Sequence, residues 1–219
     1  MHKLVEVRSG VDLLQANREI AQKNRAFLRE KGIVSIDIMG SIGAGKTLLA
    51  EKMIDILQGR GISAAVIAGD VAGNADYQRF KKHGVPVENV NTGKECHLDA
   101  HLVDHALEHM DLDGISVLFV ENVGNLVCPA DFALGTDKRM VVVSVTEGDD
   151  MIMKHPLIFG LSDVIAINKT DLAEAMEVDP KTLGKDAREL GSKATVVYTD
   201  AKHGEGIEDL MRALGLPMD

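Results

Sequence analysis

The sequence predicts an α/β protein of three layers, with a mostly parallel central sheet flanked by helices. Three observations carry that reading. Apolar, β-branched runs recur along the chain without polar alternation, as strands buried on both faces do. Helix-compatible segments separate them, which is the pattern of a parallel sheet covered on both sides. Between one such strand and one such helix lies Gly40-Ser41-Ile42-Gly43-Ala44-Gly45-Lys46-Thr47. It fits G-x-x-x-x-G-K-[ST], the phosphate-binding loop of nucleotide hydrolases, and so specifies a three-layer phosphate-loop NTPase.

Taken in order, residues 11–31 repeat the apolar pairs Leu13/Leu14, Ile20/Ala21 and Phe27/Leu28 every seven positions. Such a narrow stripe predicts an N-terminal helix packed on the sheet, in preference to a partner-binding helix. Residues 33–39 form the strand before the glycine loop, and 48–57 the helix after it, ended by Gly59 and Gly61. Further strands are expected at 63–68, 85–90, 115–120, 139–145, 164–167 and 195–198, with helices near 180–190 and 206–214. The loop after the second strand carries two acids, Asp70 and Asp76. With no repeat, linker or low-complexity stretch, residues 1–219 are expected to make a single domain.

Composition narrows the function classes. A net charge of −10 opposes a nucleic-acid partner, because phosphate backbones demand a basic face. No apolar run has the length of a membrane span and no signal-peptide core opens the chain, so a cytoplasmic protein with no membrane partner is expected. Two cysteines in that setting point to metal or catalysis over a disulfide framework.

The glycine loop has a mechanism. It curls so that consecutive N–H groups face one centre at a helix N-terminus, with Lys46 reaching the β/γ-phosphates and the Thr47 hydroxyl on magnesium. The cradle comprises Gly40, Ser41, Ile42, Gly43, Ala44, Gly45, Lys46, Thr47 and Leu48. Downstream, Asn168-Lys169-Thr170-Asp171 follows a strand. Its terminal carboxylate can accept both guanine N1–H and the N2 amino group, which adenine cannot offer. Thr199-Asp200-Ala201-Lys202 reads as the second base-contacting loop, with the Ala201 N–H meeting guanine O6. The ligand class is therefore GTP with Mg²⁺.

The segments GSIGAGKT, AGD with Asp76, NTGKECHLDAH, ENVGNLVCPADF, EGDD with KHP, and NKTD together resemble the hydrogenase nickel-incorporation GTPases, the HypB family. That family is related to the urease accessory protein UreG. The resemblance covers essentially the whole chain after residue 10, and its cysteine segments fit the hydrogenase branch better than the urease branch. It implies a GTPase that controls nickel delivery to [NiFe]-hydrogenase through a GTP-dependent homodimer. The implied partners are a companion nickel metallochaperone and a hydrogenase large subunit. By the same resemblance Glu121 acts near magnesium and Gly124 near the γ-phosphate, while Asp70 and Asp76 serve magnesium and the attacking water. Lys46, Asp76 and Glu121 become the catalytic candidates. Lys154 is expected at the partner's nucleotide or at the interface. No water-orienting glutamine is apparent, so slow turnover is expected.

Thr92-Gly93-Lys94-Glu95 has the form of a capping box, which predicts a helix starting there, with Cys96 and His97 in its first turn and the thiolate favoured. Cys128 follows Gly124 closely. Two thiolates with an imidazole suit Ni²⁺ and Zn²⁺ alike. On the residues alone, two buried cysteines and a surface histidine are an equal alternative. The resemblance implies that Cys96, His97 and Cys128 form a nickel or zinc site at the dimer interface. His97, His101, His105 and His109 recur every four residues. For His105 and His109 a solvated polar face is the favoured reading, with His101 a second-tier ligand candidate. Only His2 stands where some family members carry a histidine- or cysteine-rich nickel store. A small-molecule kinase, opposed by NKTD, and a GTP switch with purely structural zinc are the rival classes.

Overall fold

In a computed structural model, which describes the backbone of residues 2–218 and the side chains of residues 12–218, the apolar runs form one sheet. Its strands are β1 (Val34–Gly40), β2 (Ala64–Asp70), β3 (Val87–Asn91), β4 (Val117–Glu121), β5 (Lys138–Ser144), β6 (Val164–Asn168) and β7 (Thr195–Tyr198). The spatial order is β3-β2-β4-β1-β5-β6-β7, and every pairing is parallel. Strand β1 thus lies between β4 and β5, with Ile38 opposite Glu121 on one side and Met140 on the other. Loops leaving the C-terminal ends of β1, β2, β4 and β6 therefore emerge along one edge, where open α/β sheets hold their ligands.

The helices are α1 (His2–Glu30), α2 (Lys46–Gly59), α3 (Ala75–Lys81), α4 (Ala100–His109), α5 (Met151–Lys154), α6 (Pro156–Gly160), α7 (Pro180–Glu189) and α8 (Ile207–Leu214). On one sheet face, Leu49, Met53 and Leu57 of α2 and Leu210, Met211 and Leu214 of α8 pack with Ile36, Ile38 and Phe119. On the other, α1 and α4 cover the β2–β4 half, with Leu28, Val103 and Leu107 against Ile67, Leu118 and Val120. Residues of α6 and α7 cover the remaining half through Ile158, Phe159, Leu183 and Ala187. Since both faces are buried, the strands need no polar alternation.

Three expectations change. Helix α1 extends from 11–31 to His2–Glu30, and its contact face is not the predicted stripe. Leu13 is 60% exposed and Phe27 is exposed too, whereas Asn17, Ala21, Asn24 and Leu28 are buried. The asparagines serve backbone groups. Asn17 donates to the Ala133 carbonyl and accepts from the Ala100 N–H at the start of α4, while Asn24 donates to the Ala100 and Leu134 carbonyls. A hydrophobicity pattern cannot see a helix face that docks by capping other segments.

The 139–145 strand ends at Ser144, which caps a short 3₁₀ turn at Val145–Glu147 in a true capping box with Glu147. The box expected at Thr92–Glu95 starts no helix. The Thr92 hydroxyl donates to the Glu95 carbonyl instead of receiving an N–H, and α4 begins at Ala100 with Asp99 as its cap. Cys96 and His97 thus lie in an irregular segment ahead of α4. The side chain of His2 lies outside the described residues.

Asn24→Ala should destabilise the protein by about 1–3 kcal/mol, since it removes two buried hydrogen bonds to the Ala100 and Leu134 carbonyls. Leu13→Ala should stay within about 0.5 kcal/mol. Urea denaturation of the two variants checks which face of α1 docks.

Candidate nucleotide and metal site

The edge formed by β1, β2 and β4 opens into a cleft of about 460 Å³. Ile42, Gly43, Gly45, Lys46, Thr47 and Leu48 line one side, and Asp70, Asp76, Glu121 and Gly124 the other. Helix α2 begins at Lys46 itself, so its free N–H groups face the loop. Lys46 folds back to donate to the Gly40 and Ser41 carbonyls at 3.2 and 3.1 Å. Burial holds its pKa below the usual lysine value, against the pull of Glu121, Asp76 and Glu147. Ala44 is buried within the loop, whereas Ile42 is 86% exposed.

The Thr47 hydroxyl lies 2.9 Å from Asp76 Oδ1 and 2.8 Å from Glu121 Oε1. These are hard oxygen donors of the kind Mg²⁺ takes. Glu121 is buried and, among the described residues, its second oxygen has no hydrogen-bond partner, so a cation would satisfy it. Burial, reinforced by Asp76 and opposed by Lys46, Thr47 and Arg79, pushes the Glu121 carboxyl up to about 7. Asp70 lines the same cleft but turns back to accept from the Val71 N–H at 2.6 Å.

Two neighbours escaped sequence reasoning. Arg79 of α3 reaches the cleft, paired to Glu51 at 2.5 Å and 3.8 Å from Asp76. Glu147 accepts a hydrogen bond from Ser41 across the loop. An arginine on a short helix carries no motif, and the EGDD segment by itself does not aim Glu147 at the loop, so only the fold reveals these contacts.

The NKTD and TDAK segments join the loop through Asn168. Its amide donates to the Ala44 carbonyl at 2.9 Å and accepts from Thr199 Oγ1 and the Ala201 N–H at 3.0 and 3.2 Å. Gly45, at φ 105°, is the close approach: a Cβ there would strike the Asn168 amide. Lys169 adopts a left-handed conformation at φ 60°, a strain that recurs at functional sites. Asp171 is exposed and lies within 4.8 Å of both Asp200 and His203. Lys154 does not line the cleft. It is exposed, paired to Asp150 at 2.5 Å, and lies beside Leu126 and Val127.

Cys96, His97 and Cys128 converge, with one donor atom of each within 4.8 Å of the others. The thiol sulfurs are 2.7 Å apart and Cys96 Sγ is 4.0 Å from His97 Nδ1. His97 is buried and stacked on Phe132 with ring centroids 4.0 Å apart, which orients the imidazole. Asn125 ties the two cysteine segments, donating to the Cys96 carbonyl and accepting from the Val127 N–H. The donor set suits Zn²⁺ or Ni²⁺. At metal–sulfur distances near 2.3 Å a tetrahedral ion needs sulfurs about 3.7 Å apart, so the pair must open by about 1 Å. The predicted helix end is not there to lower the Cys96 pKa, and the pulls of Asn125 and the local backbone toward the thiolate are outweighed. The hydrogen bond with Cys128 and partial desolvation raise the pKa. His101, His105 and His109 instead lie on the exposed face of α4, with His105 and His109 stacked on each other.

Glu121 gives the metal-free protein a pH dependence of definite sign. A folded-state pKa near 7, against 4.5 for the free group, means the folded state holds its proton more tightly. Stability is therefore lost as pH rises from about 4.5 to 7 and levels off above, by on the order of 3 kcal/mol. Glu121→Gln should remove that loss, measured by urea denaturation at pH 5 and pH 8.

A sequence profile described as CobW/HypB/UreG, nucleotide-binding domain, matches residues 34–198. The chain is 52% identical to the probable hydrogenase maturation factor HypB of Methanocaldococcus jannaschii, over 96% of this chain and 95% of that protein. Among solved structures, the hydrogenase maturation factor HypB of Archaeoglobus fulgidus superposes with TM-score 0.84 at 45% identity, covering 92% of this chain and 98% of that one. HypB of Helicobacter pylori, solved in complex with nickel, gives TM-score 0.84 at 30% identity over 91% and 93% of the two chains. The glycine loop, the acid-lined cleft and the thiol–imidazole cluster thus sit in a chain that belongs to the CobW/HypB/UreG nucleotide-binding family, as a HypB hydrogenase maturation factor.

Proposed function

We propose that this chain binds and hydrolyses GTP to control nickel delivery during maturation of [NiFe]-hydrogenase, acting as a GTP-dependent homodimer with a metal site at its interface. One observation carries the reading. The segment between Glu121 and Cys128 touches both the phosphate loop and the thiol pair. Asn125 forms a β-bridge with Gly40 while its side chain holds the Cys96 carbonyl. A Cβ at Gly124 would meet the Ile42 backbone N at 2.9 Å, so the loop and this segment are in direct contact.

In this reading the whole chain works as one GTP-binding unit. The backbone from Gly40 to Leu48 cradles the phosphates, and Lys46 leaves its carbonyl partners to meet their charge. Thr47, Asp76 and Glu121, with Asp70 after a turn of its carboxylate, would hold magnesium, which would neutralise phosphate charge. Gly124 lies against the γ-phosphate. Asp70 or Asp76 positions the attacking water. Asn168, Lys169, Asp171 and Ala201 read guanine, the Ala201 N–H exchanging Asn168 for the base oxygen. Cys96, His97 and Cys128 hold nickel or zinc with positions left open, as a site that must release its cargo requires. Exposed Ile42 and Val127, on the two segments that bear the site, support a face covered by a second copy. Lys154 acts at that face. A companion nickel metallochaperone and the hydrogenase large subunit are the proposed partners, in the cytoplasm.

Calorimetry with Ni²⁺ and Zn²⁺, in GDP and in a non-hydrolysable GTP analogue, tests this alongside sedimentation. Nucleotide-dependent metal affinity with a monomer-to-dimer shift is expected. Tight zinc binding in both states at constant mass would leave a GTP switch with structural zinc. Cys128→Ala should erase the difference in metal affinity between the two nucleotide states. Lys154→Ala should weaken GTP-dependent dimerisation and turnover, and unchanged values would remove it from the interface.

A further inference from the structure

Beneath the thiol–imidazole cluster lies a buried polar network that none of the roles above uses. Asp37 is fully buried in the middle of β1. Its register partner on β5 is Arg139, whose guanidinium Nε approaches Asp37 Oδ2 at 3.5 Å. The fork of Arg139 then reaches past the strand. Its terminal nitrogens donate to the Pro129 carbonyl at 2.5 Å and the Ala130 carbonyl at 3.3 Å. Both carbonyls belong to the 3₁₀ turn Cys128–Ala130, which opens with one of the thiols.

The other Asp37 oxygen accepts from the Asn122 amide at 3.2 Å. With its nitrogen engaged there, Asn122 presents its oxygen to the Leu98 and Val123 N–H groups, each at 3.0 Å. Leu98 directly follows His97. Two donors on the oxygen and one acceptor on the nitrogen fix the Asn122 amide in a single orientation. Burial raises the Asp37 pKa, while Arg139 and Asn122 oppose it.

A fully buried carboxylate beside a guanidinium is weak evidence for stability, because desolvation offsets the attraction. Its geometry here serves something else. One carboxylate reaches both halves of the cluster, the Cys128 turn through Arg139 and the Cys96–His97 segment through Asn122. We propose that Asp37 is a positioning residue for the thiol–imidazole site, setting the separation of its two halves through Arg139 and Asn122. The inference rests on the reading of Cys96, His97 and Cys128 as a metal site.

Co²⁺ is the probe, since its visible spectrum reports coordination geometry and its near-ultraviolet thiolate band reports sulfur ligation. Wild-type protein is titrated first, and absence of a thiolate band there would sink the metal-site reading itself. Asp37→Asn and Arg139→Lys are then compared, with GDP affinity measured on the same samples. Arg139→Lys keeps a charge beside Asp37 but loses the fork that spans two carbonyls. Both variants should bind Co²⁺ about tenfold more weakly, the low end of losses when groups supporting metal ligands are removed. The visible bands should shift, with GDP affinity within about twofold of wild type. The test is decided on Arg139→Lys if Asp37→Asn does not fold. Wild-type Co²⁺ affinity and spectrum in the variants would overturn the proposal. So would a parallel loss of Co²⁺ and GDP affinity, which marks general loosening of β1 and not a hold on the cluster.

Discussion

The close contact between the phosphate loop and the segment leaving β4 is the constraint on which the rest of this molecule depends. Gly124 packs without a side chain against Ile42, and Asn125 bridges to Gly40. This contact exists because β4 lies directly beside β1 in the sheet, with Glu121 opposite Ile38. Any ligand that reshapes the loop must therefore press on a chain that reaches Cys128 within a few residues. Interiors and close contacts of this kind shift between discrete packings more readily than they deform.

Around that contact the charges are arranged so that each leaves something unmet. Lys46 is partly desolvated and spends its donors on loop carbonyls. Glu121 is buried with one oxygen unpaired among the described residues. The two thiols stand closer than a shared ion would hold them. A phosphate and a divalent ion in the cleft, and a soft ion between the cysteines, would relieve these groups together. Perturbed groups of this sort gather where chemistry or binding is done.

Buried polar side chains do the holding. Asn17 and Asn24 dock α1 by serving backbone groups around Ala100 and residues 133–134. Asn168 joins the phosphate loop to the Thr199–Ala201 loop, and Asn122 joins Asp37 to Leu98. Each amide has a donor and an acceptor end and can satisfy two segments at once, which no apolar residue can do.

The sequence by itself determined the sheet, because long apolar runs and glycine-bounded helices leave one architecture, and strand bounds fell within a residue or two. The glycine loop between β1 and α2 was legible as well, because its spacing is local and its chemistry depends on backbone and one or two side chains. The sequence misplaced the start of α4, since Thr92 and Glu95 satisfy the spacing of a capping box while the Thr92 hydroxyl turns to a carbonyl. It also misjudged the docked face of α1, since hydrophobic periodicity is blind to buried asparagine. Only the tertiary structure decided that Arg79 borders the cleft, that Glu147 meets the phosphate loop at Ser41, that Lys154 does not line the cleft, and that Asp37 reaches both halves of the cysteine cluster. Those relations join residues far apart in the chain, and strand order and register bring them together where no local pattern can.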